Sequence, residues 1–239
     1  MAKRIENTSL RSRLVTALIA LAFGFGGAAL WSATGMGHAQ TRSYLLENPD
    51  ILPEMAENFQ KQQARERLAD IADEVVAPFP GAVMGNPEGS VTLVEFTDYG
   101  CSFCRVSADH IASLIAKNPE LRVVIREWPI FEGSDKAAQM ALAAAEQGKF
   151  TDFHLEMFAT GPPSESTIMD AAASAGLDLA RAEQFIAGRG ADYELSKNAA
   201  LAKQLGFGGT PSWVVGDQVF EGAVGEAKLQ EAIDAARES

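Results

Sequence analysis

The 239-residue chain contains two cysteines, and both lie in one four-residue stretch, Cys101-Ser102-Phe103-Cys104. A disulfide framework stapling distant segments, or a four-cysteine zinc site within one chain, is therefore impossible. The core must come from apolar burial, and 47% hydrophobic with 22% charged residues is ordinary globular composition. Before the pair runs a β-rich stretch, Val91-Thr92-Leu93-Val94-Glu95-Phe96, and after it Ser102 to Lys117 carries Val106, Ile111, Leu114 and Ile115 at helical spacing. Asn118-Pro119 ends that helix, and Leu121 to Trp128 reads as a second strand. Strand, helix, strand predicts a right-handed βαβ unit with the cysteines at the first strand-to-helix junction.

That position carries chemistry. At a helix N-terminus the unpaired backbone N–H groups and the macrodipole favour an anion, which makes Cys101 a candidate thiolate nucleophile. Two intervening residues on a helical turn bring Cys104 back within bridging distance, where it can resolve a mixed disulfide formed by Cys101. Neither Ser102 nor Phe103 adds positive charge, so stabilisation of a thiolate falls chiefly to backbone N–H groups. Three other readings compete. A structural staple closing so short a loop removes little unfolded-state entropy. Zinc would need two further ligands, and His110, His154 and the carboxylates form no paired motif; neither histidine is assigned a role. Two inert buried thiols are the third. Cys-x-x-Cys beside a βαβ pattern favours redox chemistry, with no metal and no organic cofactor expected.

The rest of the chain frames this unit. Lys3, Arg4, Arg11 and Arg13 precede an uncharged run from Leu14 to Leu30 and small residues ending at Ala39, so residues 1–39 are expected to be a signal peptide cleaved after Ala39; a retained membrane anchor is the alternative. Export implies an oxidising compartment. The net charge of −12 becomes about −15 after cleavage, which opposes polyanions and excludes nucleic acid as a natural partner. Between Tyr44 and Val76 a narrow stripe of Leu45, Leu52, Met55, Phe59, Leu68, Ile71 and Val75 predicts a short helix, a break at Asn48-Pro49, and a longer helix. The stripe suits packing on the chain's own domain or self-association. Pro78 to Pro87 reads as linker and turn. From Asp135 to Gly206 the pattern is helical only, about four or five helices; Ser212–Val215 and Gln218–Phe220 flank Gly216-Asp217 as a hairpin, and Glu226 to Arg237 closes as a helix.

Phe96-Thr97-Asp98-Tyr99-Gly100-Cys101-Ser102-Phe103-Cys104-Arg105, Arg126-Glu127-Trp128-Pro129 and Gly209-Thr210-Pro211 together resemble the DsbA family of thioredoxin-fold oxidoreductases, from about residue 82 onward. The resemblance implies an α/β thioredoxin fold with an inserted helical domain at about 135–206, within a domain spanning 78–239 and preceded by an N-terminal helical segment, 40–77. Tyr44-Leu45-Leu46-Glu47-Asn48-Pro49-Asp50 resembles the N-terminal segment of the ScsC-like branch, some of whose members oligomerise through it and isomerise disulfides. By resemblance, Cys101 is the exposed nucleophile, Cys104 the buried resolving thiol, and Thr210-Pro211 a facing loop with a cis peptide that presents the Thr210 backbone to an extended substrate. Glu95, six residues before Cys101, matches the family's buried acid, which exchanges a proton with Cys104; the strand alone also allows it to face solvent. Phe103 is placed to touch unfolded substrate.

The implied activity is exchange of disulfides with cysteine-containing exported proteins in the periplasm, serviced by a DsbD-like or DsbB-like membrane redox partner. Strong oxidants of the family carry Pro-His where this chain has Ser102-Phe103. That departure and the N-terminal segment favour an isomerase or reductase over a disulfide-donating oxidase. Other classes are a Cu(I)-binding copper-tolerance protein and a non-enzymatic chaperone acting through the N-terminal stripe; residues 44–76 are separately the candidate surface for a homo-oligomer.

Overall fold

The computed structural model describes residues 2–33 and 36–238. Positions 1, 34 and 35 of the expected leader lie outside the described residues. The chain divides into two compact units, one ending at Phe59 and one beginning at Gln60.

The first unit holds α1 (Ala2–Ala33), α2 (Met36–Glu47) and the start of α3 (Ile51–Ala69). The break falls at the predicted Asn48-Pro49: the Asn48 side chain and backbone N–H both donate to the Tyr44 carbonyl and close α2. Pro53 sits in the first turn of α3, where a backbone N–H would have no helical acceptor. Tyr44, Leu45, Leu46, Leu52, Met55 and Phe59 are exposed. Among the described residues no helix is long and apolar enough to cross a membrane.

The second unit is built on a five-stranded sheet in the order β1-β3-β2-β4-β5, comprising β1 (Val83–Gly85), β2 (Val91–Thr97), β3 (Leu121–Glu127), β4 (Ser212–Val215) and β5 (Gln218–Glu221). The β2 and β3 strands are parallel and joined by α5 (Ser102–Lys117), as the βαβ pattern predicts; the other pairs are antiparallel. Strands covered on both faces read as nearly continuous apolar runs, and β2 and β3 have that character. On one face Leu93, Leu121, Val123 and Ile125 pack with Cys104, Ala108, Ile111 and Leu114 of α5 and with Leu229 and Ile233 of α11 (Glu226–Arg237). On the other, Val94, Phe96 and Val124 pack with Leu68, Val75 of α4 (Ala72–Val76), and Leu201 and Leu205. The stripe read between Leu45 and Val75 thus splits: Leu68 and Val75 belong to the domain core, while its first half is exposed.

Residues 134–205 form α6 (Ser134–Glu146), α7 (Phe150–Thr160), α8 (Glu165–Ser174), α9 (Leu179–Ala187) and α10 (Gly190–Leu205). Small side chains let these helices approach closely: Ala137, Ala138, Ala141, Ala143, Ala144 and Ala145 of α6 are all buried. Two elements depart from expectation: the longer helix breaks after Ala69 and resumes as α4 at Ala72, and a strand forms before β2. The stretch read as linker holds β1, whose three residues pair with Arg122 to Val124. So short an edge strand is made by tertiary pairing rather than by its own pattern.

Candidate functional site

The parallel β2 strand ends at Thr97, the chain turns through Asp98-Tyr99-Gly100, and Cys101 caps α5 in an extended conformation (φ −85°, ψ 118°). The turn is held by one buried carboxylate. Asp98 Oδ1 accepts from the Gly100 N–H at 2.6 Å, and Oδ2 accepts from the N–H groups of Ile130 at 2.6 Å and Phe131 at 2.8 Å. Glycine at 100 follows from this closeness: a Cβ there would lie 2.7 Å from Ser134 Oγ and 2.9 Å from Phe131 Cβ.

The structure brings Cys101, Cys104, Thr210, Pro211 and Glu95 to one place. The Cys101 thiol donates to the Thr210 carbonyl at 3.3 Å, and the Thr210–Pro211 peptide bond is cis. Both cysteines are free thiols. The expectation of an exposed Cys101 is corrected, since only 3% of the residue is accessible. Its N-cap position aims the sulfur at the Thr210 carbonyl and seats the side chain in the core cluster beside Cys104. Phe103, by contrast, is exposed, as are Ile130 and Phe131 on the adjoining loop.

Behind the thiols the sheet face is acidic. Glu95 is 1% exposed, which removes the solvent-facing alternative. Burial pushes its carboxyl well above the ordinary range, and like charge at Glu127 and Cys101 adds to the shift. Burial, then the charge of Glu95, likewise pushes the Cys104 thiol up. Cys104 therefore holds its proton unless a neighbour takes it.

Three residues that the sequence reading left without a role stand next to this group. Glu127, at the end of β3, is fully buried, and its Oε1 accepts from the Tyr99 hydroxyl at 2.9 Å. Tyr99 also meets His154 Nδ1 of α7 at 2.9 Å. With its proton on Glu127, the Tyr99 oxygen must accept from His154 Nδ1–H. Burial lowers His154 to about 3, so the ring is neutral at neutral pH. Glu95 Oε1, Glu127 Oε2 and His154 Nε2 are buried without a hydrogen-bond partner. The available signal was a charged pair, Arg126-Glu127, directly after the apolar run Val123-Val124-Ile125.

Among the described residues no group of three or more His, Cys, Asp or Glu is disposed to hold a metal ion.

The chain matches the Thioredoxin family over residues 80–235 and the copper resistance protein ScsC N-terminal domain over residues 38–66. A thioredoxin-like oxidoreductase from Silicibacter pomeroyi DSS-3 is 42% identical with a TM-score of 0.63, covering 66% of this chain and 92% of its own. The thiol-disulfide exchange protein alpha-DsbA2 from Wolbachia pipientis is 26% identical with a TM-score of 0.66, covering 73% and 96%. A linker-deletion variant of ScsC from Proteus mirabilis is 25% identical with a TM-score of 0.66, covering 84% and 93%. The curated relatives include Na(+)/H(+) antiporter NhaA 1 of Salinispora arenicola, 27% identical over 165 residues, of whose length this chain spans a quarter. The chain belongs to the thioredoxin family, on the DsbA and ScsC branch of its thiol-disulfide oxidoreductases.

Proposed function

We propose that this protein exchanges disulfides with exported proteins through Cys101 and Cys104, acting mainly as an isomerase or reductase. The supporting observation is the Cys101 sulfur at the head of α5, 3.3 Å from the Thr210 carbonyl, with Cys104 and the buried Glu95 carboxyl behind it. In reduction, the Cys101 thiolate attacks one sulfur of a substrate disulfide, a mixed disulfide forms, and the first substrate sulfur leaves as a thiolate that takes a proton. Cys104 passes its proton to ionised Glu95 and attacks the Cys101 sulfur. The second substrate thiolate then leaves, and two electrons have moved from protein to substrate. Oxidation runs the same steps backwards. Isomerisation occurs when a substrate thiolate displaces Cys101 before Cys104 does.

Because Cys101 is sequestered, access requires the Thr210 carbonyl to give up the thiol, which an extended substrate pairing with the Thr210 backbone would favour. Exposed Phe103 supplies apolar contact with unfolded chain. Residues 1–39 serve as the export signal, placing the domain of residues 78–239 in the periplasm, where a DsbD-like partner keeps the pair reduced. The exposed apolar side chains from Tyr44 to Phe59 are the surface for self-association, with residues 40–77 as the N-terminal segment.

The reading is tested by the reduction potential of the purified protein against glutathione and by refolding of a scrambled disulfide protein. A weakly oxidising potential with isomerisation is expected. A strongly oxidising potential without isomerisation reverses the direction in favour of the oxidase, and failure of the folded protein to exchange disulfides with either glutathione or the scrambled protein removes the redox reading altogether. The match of residues 38–66 to a copper resistance domain supports a second reading, Cu(I) held by the two thiolates. Tight stoichiometric Cu(I) binding with no disulfide exchange would favour it.

A further inference from the structure

Glu95 and Glu127 share a sheet face. In the parallel ladder Glu95 lies opposite Ile125 and Thr97 opposite Glu127, so the two carboxyl-bearing residues are diagonal neighbours. Strand spacing and rise put their Cα atoms about 8 Å apart. The intervening Arg126 points to the opposite face, where carbonyls of α4 and Asn198 engage it. The groups that face Glu127 are Asp98 and Tyr99 from the turn, Glu95 from β2, and His154 from α7, with the Cys101 and Cys104 thiols of α5 on the far side of Glu95.

Among the described residues no cation faces this buried pocket, and two carboxyls so placed resist double ionisation, share a proton and titrate as a pair. The hydrogen bonds decide which one keeps it. His154 Nδ1 donates to Tyr99, and Tyr99 donates to Glu127 Oε1, so both dipoles of the chain support negative charge there. Glu95 Oε1 has no such donor.

We infer that Glu127, held by Tyr99 and His154, is a positioning residue that keeps the shared proton on Glu95 and thereby sets the pH at which Cys104 exchanges its proton. The inference rests on the disulfide-exchange reading and deepens it. When Cys104 leaves the internal disulfide as a thiolate, protonated Glu95 supplies the proton. When Cys104 must attack, Glu95 must first ionise, and negative charge on Glu127 opposes this. Glu127 thus favours reduction of the Cys101–Cys104 disulfide and delays its closure, which lengthens the life of a mixed disulfide.

The test is rapid mixing of the reduced full-length protein with excess oxidised glutathione from pH 5 to 9. The concentration-independent second phase reports closure of the Cys101–Cys104 bond. Glu127→Gln keeps an acceptor for Tyr99 but cannot ionise, and its pH midpoint for this phase should fall by about one unit. Closure on the acid side should accelerate about tenfold. Glu127→Asp should restore the original midpoint, and in a Glu95→Gln background Glu127→Gln should add nothing. Tyr99→Phe removes the donor without removing a carboxyl and should move the midpoint the same way by less, which serves if Glu127→Gln does not fold. An unchanged midpoint in a variant that still reacts with glutathione overturns the inference and leaves the disulfide reading standing. No reaction in the unaltered protein overturns both.

Discussion

Arg126 and Glu127 are consecutive residues of β3, almost equally buried, and they project from opposite faces of one sheet. Arg126 is fully engaged: Nε donates to the Val75 carbonyl at 2.9 Å, Nη1 to Asn198 Oδ1 at 2.7 Å, and Nη2 to the carbonyls of Ala77 and Glu74, with Glu194 nearby at 3.5 Å. Glu127 Oε1 accepts from Tyr99, and its Oε2 has no hydrogen-bond partner. A buried charge surrounded by fixed partners ties parts of a fold together, whereas one left short of partners changes its protonation with its surroundings. The Arg126 face joins α4 and α10 to the sheet. The Glu127 face serves the thiols.

The contrast can be broken by stability measurements. Arg126→Ala should cost about 3–5 kcal/mol, because it strands Glu194 and three backbone carbonyls, and urea unfolding measures it. Glu127→Gln should cost far less, or stabilise near pH 8, since an amide brings no charge into the buried pocket. Equal losses in the two variants would end the distinction between the faces.

A smaller effect sharpens it. Folding raises the carboxyls of Glu95 and Glu127, so the folded pair holds proton at a pH where the unfolded chain, which ionises above about 4.5, has lost it. The stability tied to those protons is complete below that pH and is lost as pH rises, by at most about 1.4 kcal/mol per pH unit for each group. Glu95→Gln should flatten this decline between pH 6.5 and 9; an unaltered slope would show that Glu95 is not the group responsible. His154 works in the opposite sense. Its pKa falls from 6.5 to about 3, so the unfolded state binds the extra proton and stability is lost as pH falls through that window. His154→Phe should reduce the loss between pH 6.5 and 4, read by the same urea titration.

The catalytic frame was legible in the sequence because its signals are local. Leu121 to Trp128 shows its strand, Ser102 to Lys117 its helical spacing, and Gly216-Asp217 its hairpin, and each formed within a residue of where it was read. What the sequence withheld depends on pairing across the fold. Val83 to Gly85 becomes a strand only because β3 offers an edge. Tyr99, Glu127 and His154, separated by 28 and 55 positions from Tyr99, meet through the sheet and α7. Nothing in local spacing could put that histidine beside that glutamate. Cys101 was expected at the surface from the family resemblance, yet its N-cap orientation points it inward to Thr210. Family resemblance supplied Thr210, Pro211 and Glu95, none of which periodicity singles out.

The single carboxylate of Asp98 grips the peptide ahead of Cys101 and the two peptides at Ile130 and Phe131. These backbones are mechanically geared. The exposed Phe131 ring therefore stands on the same carboxylate that fixes the turn before the thiol, and the rim of the site and the mounting of the sulfur share one anchor.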